Sequence, residues 1–139
     1  MFVHVSVVGV LLAALSAMII GMIWYSPAVF GKPWMKMMGI TDDDMKKKMV
    51  EAMIWLVVIS LVTAYTLAHF TAYSHLYLGG SWLAASLVTA LWAWFGLAAT
   101  AIFAHGVFDP RDKKILYINA ANRLVTFLVM ALILTPFMK

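Results

Sequence analysis

Residues 18–40, MIIGMIWYSPAVFGKPWMKMMGI, decide how the rest of the chain is read. The stretch opens as apolar as a bilayer core and closes among lysines, methionines and a tryptophan. Between the two stands Trp24-Tyr25-Ser26-Pro27. Pro27 has no amide hydrogen to give a helix, so an apolar helix is expected to end at this point. Beyond it, residues 30–38 set Lys32 and Lys36 among Trp34, Met35, Met37 and Met38. Basic and apolar groups mixed over so short a length predict a re-entrant or interfacial segment in the headgroup layer.

The whole chain supports the membrane reading. Of its 139 residues, 65% are hydrophobic and 12% charged, whereas a soluble domain is about 45–50% apolar and about 25% charged. There is no cysteine, which excludes disulfides, thiolate metal sites and a cysteine nucleophile. The net charge of +4 resides in loops between apolar runs, so membrane topology explains it better than nucleic acid does. The N-terminal MFVHVSVVGV lacks the basic start of a signal peptide, and the first apolar segment is expected to be retained.

A bilayer core takes about 20 apolar residues of helix. Four segments qualify, at about 3–25, 49–73, 81–105 and 115–136. The prediction is an all-α, four-helix transmembrane bundle in a single domain, with a short interfacial segment between helices one and two. Lys32, Lys36, Lys46, Lys47 and Lys48 sit in the first connection, and Arg111, Lys113 and Lys114 in the third. The second connection has none, and the tail has Lys139. The positive-inside rule therefore puts the first and third connections in the cytoplasm and both termini outside. Helix starts are expected at Thr41-Asp42-Asp43-Asp44, where Thr41 caps, and at Asp109-Pro110-Arg111-Asp112, where Asp109 caps and Asp112 closes a capping box. His105 is expected to cap the end of the third helix.

Small residues recur every fourth position at Gly9, Ala13, Ala17 and Gly21, and again at Ser60, Ala64, Ala68 and Ala72. Such stripes let helix backbones approach closely in lipid. They suit packing within the chain, or a face for another subunit.

Arg123 is the most informative polar residue. It lies roughly 12 Å inside the fourth apolar run at helical rise. Asn119, Asn122 and Thr126 share its helix face, which should point into protein. Glu51 is the nearest acid by depth, and the carbonyls around Tyr25 are other acceptors. Arg123 then either snorkels and ties helices together, or binds an anionic group of a lipid or solute. The candidate polar site is Arg123, Asn119, Asn122, Glu51, Trp24 and Tyr25. His4, His69 and His75 fall near the opposite end and are weak candidates for zinc or copper, with no ligand-motif spacing. Trp92, Trp94 and Phe95 either line a cavity for an apolar ligand, fill the core or face lipid.

Two stretches carry a family resemblance. GMIWYSPAVFGKPWMKMMGI after the first span and LYINAANRLVTFLVMALIL in the fourth resemble the signatures of domain of unknown function 1761. The first centres on Trp24-Tyr25-Ser26-Pro27 with Phe30-Gly31-Lys32 and Trp34, the second on Asn119 and Arg123. The resemblance covers nearly the whole chain and implies a small four-helix protein of the bacterial inner membrane. It implies no activity.

The sequence holds no nucleophile motif, phosphate loop or pair of membrane carboxylates, so enzyme function is disfavoured and no cofactor is expected. The reading is a non-enzymatic membrane protein, either a lipid- or small-ligand-binding module or an accessory subunit. The alternative is a small oligomeric transporter or channel with a path along Asn119, Asn122 and Arg123. Expected partners are membrane lipids, further copies of the chain or other membrane subunits.

Overall fold

A computed structural model describes residues 4–138. It holds five helices: α1 (Val7–Trp24), α2 (Gly31–Met38), α3 (Asp42–Leu78), α4 (Trp82–Gly106) and α5 (Lys114–Leu134), the last extended by a 3-10 turn, Thr135–Phe137. The described residues contain no strand. α1, α3, α4 and α5 with its extension are each long and apolar enough to cross a membrane. Val3, the expected start of the first span, and Lys139 lie outside the described residues.

The helices pack in a ring: α1 against α3 and α5, and α4 against α3 and α5. Successive long helices are antiparallel neighbours, as short connections require. Two ends result. One carries the α3–α4 turn; the other carries the two lysine-bearing connections and α2.

Local chemistry sets most helix starts. The Ser6 hydroxyl accepts from the Gly9 amide, and the Ser81 hydroxyl from Ala84. At α3 the Thr41 hydroxyl accepts from the Asp44 amide at 3.2 Å, while the Asp44 carboxylate accepts from the Thr41 amide at 3.0 Å. This is a reciprocal capping box. The aspartates also suit the positive end of the helix dipole. At 1.5 Å per residue α3 is about 55 Å long, beyond any bilayer core.

The start of α5 corrects the sequence expectation. Asp109 caps no helix; its carboxylate accepts from the Arg111 amide at 3.0 Å and from the Arg111 guanidinium. Pro110 therefore stays in the loop, and α5 begins at Lys114, whose amide donates to Asp112. The end of α4 differs too. Lys113 Nζ reaches back to the Gly106 carbonyl at 2.5 Å and the Asp109 carbonyl at 3.0 Å, while His105 bonds Ala101 within its own helix. A cation on the last carbonyls opposes the negative end of the dipole.

The core lies toward the α3–α4 turn. Val10, Ala13, Ala64, Leu67, Ala68, Ala90, Met130, Ala131 and Leu134 form one buried cluster. Lipid gives helices no hydrophobic reason to associate, so contact area between close backbones must hold them. Ser60, Ala64, Ala68 and Ala72 are all buried, which spends that stripe on packing inside the chain. Gly9 is buried because Phe137 packs directly over it; a methyl there would come within 2.9 Å of the Phe137 side chain. α3 buries nothing before Ser60. Its first half, including Ile54, Trp55, Val57 and Val58, is exposed on consecutive positions.

Candidate functional site

The lysine-rich end is assembled around the turn after α1. The Phe30 amide donates to the Trp24 carbonyl at 3.0 Å, and the Gly31 amide to the Ser26 carbonyl at 2.9 Å. These bonds fold the chain back at Pro27. Gly31 makes the fold-back possible: a Cβ there would collide with the Tyr25 carbonyl oxygen and come within 2.6 Å of the Ser26 oxygen. Gly39, with φ at 67°, ends α2 in the left-handed region.

The returning α2 packs on α5, and its Trp34 meets Asn119. The Asn119 side-chain oxygen accepts two bonds, from the Tyr25 hydroxyl at 2.9 Å and the Trp34 indole at 3.2 Å. The two donor rings lie 5.1 Å apart and are tilted at 58°. One amide thus joins the end of α1, the middle of α2 and the first half of α5. On the other flank of α5, the Trp94 indole donates to the Ala120 carbonyl at 2.8 Å. Trp94 begins a π-helical turn, Trp94–Ala99, below which the Thr100 hydroxyl donates to the Gly96 and Leu97 carbonyls. Such turns loosen the helix ladder locally.

Arg123 is one helical turn beyond Asn119 and half-buried. The only ion pair among the described residues joins Arg111 to Asp109, so no carboxylate neutralises Arg123. Glu51 is exposed and does not reach it. Asn122 is 6% exposed, and its amide nitrogen is sealed off without a partner. The Trp24 indole nitrogen is likewise sealed and unbonded, with its ring 4.9 Å from Phe30. Thr126 is buried on the same face.

The sequence placed Trp34 in the interfacial segment without assigning it a partner; the structure makes it a bonding residue of this site. Nothing local could reveal a contact across 85 positions. Only the pairing of an indole donor with a buried-face amide hinted at it.

The opposite end is different. His4 is exposed, His69 bonds the Tyr65 carbonyl at 3.0 Å, and His75 stacks on Trp82 at 3.6 Å. Among the described residues no three histidines or carboxylates come together as a metal site. Trp92 and Phe95 are exposed, whereas Trp94 is half-buried. Shallow grooves of about 320 Å³ run over the α3–α4 face, lined by Phe70, Thr89, Trp92 and Leu97; Asn119, Asn122 and Arg123 line none of them.

No curated protein and no solved structure matches this chain. A family model does, over residues 8–135, which includes Tyr25, Trp34, Asn119 and Arg123. The chain belongs to the family described as protein of unknown function (DUF1761).

Proposed function

We propose that this protein is a non-enzymatic integral membrane module that binds an anionic group of a lipid or small solute at its lysine-rich end. One observation carries the reading: Arg123 is half-buried on an apolar helix and meets no carboxylate among the described residues. A cation at such depth costs about 2.5–3.5 kcal/mol on insertion scales. A protein that retains one without an internal counter-ion gains from an external one. The positive-inside rule sets this end in the cytoplasm and both termini outside, and Lys32 and Lys36 on α2 would draw anionic headgroups toward it. Cysteines placed singly at Ser74 and Lys47 test that orientation, since they should label from opposite sides of intact cells. Labelling of Lys47→Cys from outside inverts it.

The binding reading is tested by extracting the protein gently from its native membrane and weighing intact complexes by mass spectrometry. An anionic adduct is expected. A protein that carries only zwitterionic lipid, or none, contradicts the reading.

A further inference from the structure

A second place on the molecule leaves polar groups free, and it lies within the apolar spans. Thr63, Thr66 and Phe70 form one stripe of α3 by helical spacing. At helical rise Thr63 stands about 22 Å from Lys48 and about 18 Å from His75, which sets both threonines well inside a bilayer core about 30 Å thick. Neither hydroxyl takes part in a hydrogen bond among the described residues. The Thr100 and Thr135 hydroxyls, by contrast, donate to carbonyls of their own helical turns. Thr63 is half-buried and Thr66 exposed, and neither hydroxyl is sealed inside the protein.

Both threonines line a single groove of about 320 Å³ between α3 and α4, together with Phe70 and with Phe127 of α5. The α4 wall includes Leu97 and Ala98, which belong to the π-helical turn Trp94–Ala99. Such turns are rare and concentrate at functional sites. A neighbouring groove shares Phe70 and Leu97 and continues along α3 to Ser74 and Leu78. No charged side chain lines either groove. A bare acyl chain would cover the apolar walls, yet it offers neither hydroxyl a partner, and an unbonded polar group in hydrocarbon is costly.

An occupant that suits this groove is uncharged, lipid-soluble and equipped with an oxygen that accepts from a hydroxyl. Depth selects the kind of oxygen. An alcohol taken this deep gives up water bonds both as donor and as acceptor, whereas a carbonyl gives up only those it accepts. We infer that the groove binds a neutral, carbonyl-bearing, lipid-soluble molecule that enters sideways from the bilayer. Its oxygen accepts from Thr63 and Thr66, and its hydrocarbon tail lies along the second groove. The site is separate from the lysine-rich end and does not depend on the anion reading.

The test uses the full chain in phosphatidylcholine nanodiscs, with empty nanodiscs as the blank. The probe is tritiated decylbenzoquinone, a carbonyl-bearing ring on an alkyl tail. Unlabelled decylbenzoquinone should displace it, while decanol and decylbenzene should compete about tenfold less well. A variant with both Thr63→Val and Thr66→Val keeps the side-chain shapes and removes the hydroxyls. Its affinity should fall about tenfold while its circular dichroism stays that of the parent. Leu97 is exposed and borders both grooves, so Leu97→Trp should fill the space they share and abolish binding in a folded protein. Decylbenzene competing as well as the quinone overturns oxygen recognition, and decanol doing so overturns the carbonyl assignment. Absence of saturable binding overturns the site. A folded double variant that binds like the parent overturns the threonines as its donors.

Discussion

Near the α3–α4 turn the long helices meet through Ala13, Ala64, Ala68 and Ala131, all fully buried, with Met130 and Leu134 filling what remains. At the lysine-rich end α1, α4 and α5, joined by α2, meet through Tyr25, Trp34, Trp94 and the Asn119 amide. The first arrangement is close packing of backbones, which tolerates no added volume. The second is a set of directed hydrogen bonds around groups that still have donors to spare. On the proposed reading stability belongs to one end and recognition to the other, and each can be perturbed separately.

The largest loss should come from Ala68→Leu. Ala68 is completely buried, and extra carbons there must push helices apart. Overpacking costs about 1–3 kcal/mol, read from unfolding in mixed micelles. A change such as Val58→Leu on the exposed half of α3 should leave the same curve unmoved. Gly31→Ala should follow. Its Cβ has backbone oxygens, not flexible side chains, in its way, so the turn must open. The bundle should stay helical while α2 leaves α5, seen as faster proteolysis at Lys32 and Lys36 with unchanged circular dichroism. Trp34→Phe is gentler: it keeps the ring and removes one bond to Asn119, worth about 0.5–1.5 kcal/mol.

The smallest effects are set by pH in the loops. Hydrogen bonds from Thr41 hold the Asp44 carboxyl below its usual range, and those from Arg111 hold Asp109 at about 2. Both values are depressed on folding. Their contributions are therefore complete above the ordinary carboxylate pKa of about 3.9 and disappear as the pH falls through the folded values. Amide exchange at the first turn of α3 should rise on acidification below that range, and Asp44→Asn should remove the transition. Exchange near Ala64 should not change with it.

Much of the architecture was legible because it depends on local chemistry. Apolar runs bounded by Pro27, Gly79-Gly80 and the loop at Asp109-Pro110 mark the four long helices, and Thr41 with Asp44 writes a capping box within four residues. The start of α5 misled for a local reason as well. Asp109 has the right neighbours for a cap, but Arg111 two residues on takes its carboxylate first. The π-helical turn at Trp94–Ala99 had no signal beyond Gly96 within an apolar run. Asn119 and Arg123 stood out in sequence because polar groups are costly in such a helix. That Tyr25 and Trp34 share one oxygen of Asn119 depends on how tightly the chain turns at Gly31, which is a tertiary fact.

The central claim is that Arg123 serves a ligand and does not tie the helices together. An unpaired charge at this depth costs stability, so removing it should release that cost. The most direct measurement compares the parent and Arg123→Met, purified from the same membranes, for both unfolding stability and bound anions. The account predicts equal or higher stability together with loss of the anionic adduct. Lower stability with the adduct retained would contradict it and make Arg123 a structural tie.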